Sequence, residues 1–126
     1  MAERTSSGFG RVLIAVYGIF ALSATARAGV QIVTRFGEAP VPYLLSALAG
    51  VVYILATVGL ALGFRRLAWA AVGFELAGVL VVGTLSLVDG AFPDDTVWSA
   101  FGRGYGFVPL VLPIVGLWWL RRTRPR

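Results

Sequence analysis

Glu75 is the only charged side chain within a long apolar stretch of this sequence. It lies about a third of the way along residues 67–88. As a helix this stretch would span about 33 Å, close to the hydrocarbon thickness of a bilayer. An ionisable group at such depth is costly unless it faces protein or water, so Glu75 is a candidate functional residue. Ala71 and Gly78 share its helical face and would let another helix approach closely.

The side-chain inventory excludes most redox and metal chemistry. The 126 residues include no Cys and no His, which removes thiolate nucleophiles, disulfides and the common haem and zinc ligands. Glu75 has no second carboxylate at its depth to serve as an acid–base partner. We therefore expect no metal, no cofactor and no enzymatic activity. The alternative is a transfer reaction on a lipid-linked substrate at the outer face, using Asp89, Asp94 or Asp95 with Arg27 and Arg35.

Composition indicates a membrane protein. The chain is 58% hydrophobic with a mean hydropathy of +0.83, which is more apolar than a soluble domain of this size. The net charge of +5 comes from arginines dispersed at the ends of apolar segments rather than along one face. That distribution carries topological information and disfavours nucleic-acid binding.

Four apolar segments predict an all-α fold, a four transmembrane helix bundle with antiparallel neighbours in a single domain, residues 1–126. The predicted spans are residues 11–34, 41–64, 67–88 and 105–120, with an outer loop at 89–104. The basic pair Arg65–Arg66 connects the second and third spans as a hairpin. An alternative for residues 1–28 is a secretory signal peptide, cleaved after Ala26 or Ala28.

Charge asymmetry predicts the orientation of these spans. An even number of spans places both termini and the Arg65–Arg66 turn on one side, together with the arginine-rich tail from Arg121. The opposite side receives the acidic and aromatic loop. The positive-inside rule then makes both termini cytoplasmic in a bacterial plasma membrane.

Depth along the spans identifies possible partners for Glu75. Tyr17, Thr57 and Pro113 fall at similar heights on the other three segments, the last because proline frees a backbone carbonyl. We expect Glu75 to be a neutral hydrogen-bond donor. Three roles are open: a packing device between helices, a proton or cation relay, or a contact to a partner subunit or small molecule.

A polar stripe ends the first span. Ser23, Arg27, Gln31 and Arg35 recur every four residues. With Arg103 from the outer loop, Arg27, Gln31 and Arg35 could bind an anionic lipid or small metabolite at the outer face. The simpler interpretation is that these side chains extend toward lipid headgroups where the helix leaves the bilayer.

Small residues in the second span predict close helix packing. Ser46 and Gly50 are four residues apart, as are Gly59 and Gly63. This small-xxx-small spacing lets two helix backbones approach each other. We expect Gly50, Gly59 and Gly63, together with Ala71 and Gly78, to lie at helix contacts.

Three short stretches carry a resemblance to a known group. Residues 24–27 (ATAR), 40–43 (PVPY) and 105–110 (YGFVPL) make the chain similar to the uncharacterised small four-span integral membrane proteins of high-GC actinobacteria. The resemblance implies a four-span fold and a plasma-membrane location, and it transfers no catalytic residues.

Function is then expected to lie in packing rather than chemistry. The favoured hypothesis is a non-enzymatic accessory or interaction subunit that packs with itself or with a larger membrane complex, as a possible homo-oligomer surrounded by membrane lipids. The alternatives are a carrier or binder of an anionic lipid or small metabolite, and a proton-coupled transporter that uses Glu75.

Overall fold

Four α-helices make up nearly all of the described structure. The structure is a computed structural model that describes residues 8–38, 40–87, 98–99, 101–102 and 106–123. The helices are α1 (Gly8–Arg35), α2 (Pro40–Leu62), α3 (Arg65–Leu85) and α4 (Val108–Arg122), and a 3-10 turn at Phe36–Glu38 follows α1. No strand occurs in these ranges, so the all-α prediction is confirmed for this part of the chain.

Three of the helices are long and apolar enough to cross a membrane: α1 with its 3-10 turn, α2 and α3. The chain is therefore a membrane protein. The fourth helix is shorter, with 15 residues, or about 22 Å. It begins at Val108 rather than at residue 105, and it continues past Leu120 to Arg122. Most of the outer loop predicted at 89–104 lies outside the described residues.

The turn between α2 and α3 is built on Gly63. This glycine has a φ of +73°, and the Phe64 N–H donates to the Gly59 carbonyl at 2.9 Å. A left-handed residue followed by this hydrogen bond is the Schellman arrangement that closes a helix, and glycine adopts it without steric cost. Gly63 therefore ends α2, and its predicted role in helix packing stays a prediction.

Consecutive helices pack against each other in the order α1, α2, α3, α4. Two glycines of α2 bring its backbone close to its neighbours. A Cβ added at Gly50 would lie 2.8 Å from the Thr25 hydroxyl on α1, and one added at Gly59 would lie 2.7 Å from the Ala68 nitrogen on α3. Gly50 and Gly59 thus occupy the two helix contacts of α2.

Three chain segments meet at one end of the bundle. The Arg65 guanidinium, at the start of α3, donates to the backbone carbonyls of Leu120 and Thr123 at the end of α4. Phe9, in the first turn of α1, packs against Trp119 with ring centroids 4.9 Å apart. The start of α1, the α2–α3 turn and the end of α4 therefore lie together, so successive helices run antiparallel.

Candidate functional site

Tyr17 and Glu75 form a hydrogen-bonded pair in the core. The Tyr17 hydroxyl on α1 donates to Glu75 Oε1 on α3 at 2.6 Å, and both residues are completely inaccessible to solvent. Gly116 on α4 leaves room for the pair, because a Cβ there would lie 3.1 Å from the Tyr17 hydroxyl oxygen. Three helices thus position one hydrogen bond.

The second carboxyl oxygen of Glu75 has no hydrogen-bond partner among the described residues. An ionised carboxylate offers about four lone-pair sites to donors. Here a single donor serves the group, and Glu75 acts as the acceptor in that bond. The sequence predicts Glu75 as a hydrogen-bond donor, but in its bond with Tyr17 the phenol hydroxyl donates and Glu75 accepts.

A second buried pair lies beside the first. Trp98 Nε1 donates to the Tyr53 hydroxyl at 3.0 Å, and both side chains are almost fully buried. The Tyr53 ring centroid lies 6.2 Å from that of Tyr17 and 6.4 Å from that of Trp98. We call Tyr17, Tyr53, Glu75 and Trp98 the Glu75 site. It joins α1, α2 and α3 to the segment that precedes α4.

Gly78 makes the position of Trp98 possible. It lies three residues after Glu75 on α3, and a Cβ at Gly78 would lie 2.6 Å from the Trp98 ring. The small residue therefore admits an indole from the segment before α4, rather than the neighbouring helix expected from the sequence. Ala71, at the same spacing on the other side of Glu75, is buried and lines a groove between α2 and α3.

Two other proposed partners of Glu75 make no hydrogen bond to it. The Thr57 hydroxyl donates to the carbonyl of Tyr53, one turn earlier on its own helix, at 2.7 Å. Pro113 is buried within α4, and the one hydrogen bond that Glu75 makes among the described residues comes from Tyr17. The Thr57 hydroxyl is used within its own helix, because a helical threonine readily donates to the carbonyl four residues before it.

The polar stripe of α1 does not form one continuous surface. Ser23 and Arg35 are exposed, Arg27 is half-buried, and Gln31 is only 3% exposed. A four-residue repeat drifts around a 3.6-residue helix, so these side chains enter different surroundings. Arg103, the fourth candidate of this outer-face site, lies outside the described residues.

Buried polar atoms nevertheless lie near the C-terminal end of α1 and in the N-terminal part of α2, which we call the far ends of the two helices. Gln31 Oε1 and Ser46 Oγ are buried without a hydrogen-bond partner in the described structure. The Arg35 guanidinium carbon lies 5.9 Å from the centroid of the Tyr43 ring, within the range of a cation–π contact. Two unpartnered polar atoms and the Arg35 guanidinium thus lie toward this end of the helix pair.

Sequence reasoning missed Tyr53 and Trp98 as members of the site. Tyr53 stands in an uncharged span and Trp98 in a loop rich in aromatic residues, so neither spacing nor charge singled them out. Tyr53 could have been found from its chemistry, because a tyrosine deep in an apolar span needs a hydrogen-bond partner for its hydroxyl.

Two apolar grooves run along the outer surface on either side of α2. Groove A, between α1 and α2, has a volume of about 320 Å³ and is lined by Gly18, Ala21, Leu22, Thr25, Ile54, Thr57 and Val58. Groove B, between α2 and α3, has a volume of about 290 Å³ and is lined by Leu48, Val51, Val52, Leu55, Leu67, Ala70, Ala71 and Phe74.

Metal-binding geometry is not found in the part of the chain that the structure describes, where no three His, Cys, Asp or Glu residues lie together. No family model matches the sequence, and comparison with curated proteins and with solved structures found no significant match.

Proposed function

We propose that this protein is a non-enzymatic accessory or interaction subunit of a bacterial plasma membrane, which packs with itself or within a larger membrane complex. The observation that carries the proposal is groove B, an apolar concavity beside an exposed aromatic side chain on the lipid-facing surface. The polar groups of the Glu75 site, by contrast, are turned into the core.

A four-span topology is part of this proposal. The Arg65 contact to Leu120 and Thr123 supports it, because the end of α4 then lies level with the α2–α3 turn. With the start of α1 at the same end, both termini share one side of the membrane. The arginine excess of that side favours the cytoplasm.

Groove B favours a second copy of the chain as its first occupant. Phe74 is 51% exposed, and it lines the groove together with Ala70 and Ala71. Copies in one membrane share one orientation, so a two-fold axis along the membrane normal keeps each residue at its own depth. Phe74 then meets the partner's groove within about one helical turn of Ala71, which is the self-complementarity that an isologous contact requires.

Cysteine cross-linking in membranes tests the self-association. Because the sequence contains no Cys, each single-cysteine variant reports one position only. Ala70→Cys places a thiol in groove B, and Ile19→Cys is the matched control, 63% exposed on α1. Gly18 lies against Thr57, and Gly59 against Ala68, so positions 19 and 70 have similar depths.

The expected result is an oxidation-dependent dimer for Ala70→Cys and a monomer for Ile19→Cys, with the Ala70→Cys dimer reduced at least fivefold when Phe74→Ala is added. Equal cross-linking at both positions would indicate random collision and reject groove B as an interface. A monodisperse monomer in mild detergent, with no co-purifying protein, would reject the accessory role as a whole.

A second candidate function is binding of an anionic lipid or small metabolite near the far ends of α1 and α2. The unpartnered Gln31 Oε1 and Ser46 Oγ, together with Arg35 over Tyr43, favour it. Native mass spectrometry with added phosphatidylglycerol tests this function. Arg35→Ala and Gln31→Leu should each reduce lipid adducts at least threefold, whereas Arg66→Ala, at the opposite end, should not. Unchanged adducts in both variants would exclude the site.

A further inference from the structure

We infer that Glu75 is a proton-binding site, with an exchangeable proton on Oε2, and that Trp98 shields it from water on the side of the segment before α4. This inference concerns the inside of the bundle and does not rest on the proposed interface. The ligand of the buried carboxyl group is a proton, and Trp98 must move before water can reach that proton from its side.

The hydrogen-bond geometry supports a neutral acid. Glu75 receives one hydrogen bond, from Tyr17 to Oε1, while Oε2 meets no donor within the described residues. A buried carboxylate with one donor would leave a full charge largely unsolvated, which is far more costly than burying a neutral group. In the acid form, Oε1 is the carbonyl oxygen that accepts from Tyr17, and Oε2 carries the hydrogen.

Among the described residues, no cation forms an ion pair with Glu75, whose one hydrogen bond comes from Tyr17. The titratable group that faces it from α1 is Tyr17, and the nearest from α2 is Tyr53. On α4 the pair is bordered by Gly116. Arg65 and Arg66 lie nine or more residues before Glu75 on α3, which is about 13–15 Å along the helix. Protonation is therefore the available way to neutralise the group.

Trp98 determines access from one side. Its ring lies on Gly78, one turn after Glu75, and its indole nitrogen is held by Tyr53. Trp98 is only 1% exposed, so water reaches the carboxyl group from this side only when the indole moves. On the other side, Val72 and Ala68 are completely buried, which closes the path along α3. Proton exchange should accordingly be slow in the intact protein.

Infrared difference spectroscopy tests the bound proton. The wild-type chain minus Glu75→Gln, in lipid at neutral pH, should show a deuterium-sensitive C=O stretch of a carboxylic acid. Glu38→Gln, which removes an exposed carboxylate, is the control and should instead remove carboxylate bands. Loss of carboxylate bands in Glu75→Gln would overturn the inference.

A measurement on the wild-type chain avoids dependence on the folding of that variant. Incorporation of ¹³C-carboxyl glutamate should shift the same carboxylic acid band to lower frequency. If the only bands that shift are those of carboxylates, Glu75 is ionised and the inference fails.

Hydrogen exchange tests the shielding by Trp98. After transfer to D₂O, the carboxylic acid band should shift at least tenfold faster in Trp98→Ala than in the wild type. Trp118→Ala, which removes an exposed indole at the opposite end of the bundle, should exchange at the wild-type rate. Trp98→Phe retains most of the ring and loses the bond to Tyr53, so it should be intermediate. Equal rates in Trp98→Phe, Trp98→Ala and wild type would exclude the shielding.

Discussion

The indole of Trp98 occupies the space that a side chain at position 78 would need. A Cβ built on Gly78 would lie 2.6 Å from Trp98 Cζ3 and 2.8 Å from Cη2. Because Trp98 is almost fully buried and bonded to Tyr53, the ring has little room to withdraw. Gly78 is therefore the residue that allows the segment before α4 to reach the buried pairs of the core.

Gly78→Ala should displace the Trp98 ring and destabilise the protein by about 1–3 kcal/mol, the usual cost of overpacking. Gly73→Ala is the matched control on the same helix, because a Cβ there would contact nothing within 4 Å. That control should be neutral or stabilising, since alanine favours helix. Thermal unfolding in a mild detergent compares the two, and equal midpoints would contradict the contact.

Tyr17→Phe removes one hydroxyl and should leave the buried carboxyl group without its donor. We expect a loss of about 1–2 kcal/mol in the free energy of unfolding, within the range measured for interhelical hydrogen bonds in membranes. A double-mutant cycle with Glu75→Leu isolates the pair. If the two single effects simply add, the Tyr17–Glu75 hydrogen bond contributes nothing to stability.

Gly59→Ala should separate α2 from α3. The added Cβ would lie 2.7 Å from the backbone nitrogen of Ala68, an atom that cannot rotate away. We expect a loss of about 2–3 kcal/mol, at the upper end of the overpacking range. Gly29→Ala, where nothing lies within 4 Å, is the control. Unfolding in detergent measures both variants, and similar stabilities would show that the helices separate without cost.

Arg65→Gln should loosen the end of α4. The guanidinium donates to the carbonyls of Leu120 and Thr123, which are otherwise the unsatisfied groups of a helix terminus. Loss of a cation at that position should cost about 1 kcal/mol and increase proteolysis of the C-terminal residues. Arg66→Gln changes the neighbouring, exposed arginine and should have no effect. Equal proteolysis rates in the two variants would reject this role of Arg65.

Local sequence determines the helices of this protein. Apolar segments of sufficient length predict α1, α2 and α3, because backbone groups in an apolar medium must be satisfied within the segment. Pro40 and Pro42 begin α2 at positions where a missing N–H costs little, and Gly63 ends it through a left-handed turn. Each of these effects acts over a few residues, so it is visible in the sequence.

The depth of Glu75 was also accessible to sequence reasoning, because the rise along a helix is constant. Depth alone does not distinguish Tyr17, Thr57 and Pro113 as partners of Glu75, because all three lie at similar heights. The structure joins Tyr17 to the carboxyl group, while Thr57 bonds within its own helix. The choice between them depends on helix rotation, which depth does not specify.

Only the tertiary structure decided what surrounds the carboxyl group. The rotation of each helix turned Gln31 inward, left Arg35 outside and set Gly116 beside Tyr17. The fold placed Trp98 on Gly78, far from it in sequence. Hydropathy determines which residues avoid water, but rotation and loop path depend on side-chain packing between segments, and that packing exists only once the helices have assembled.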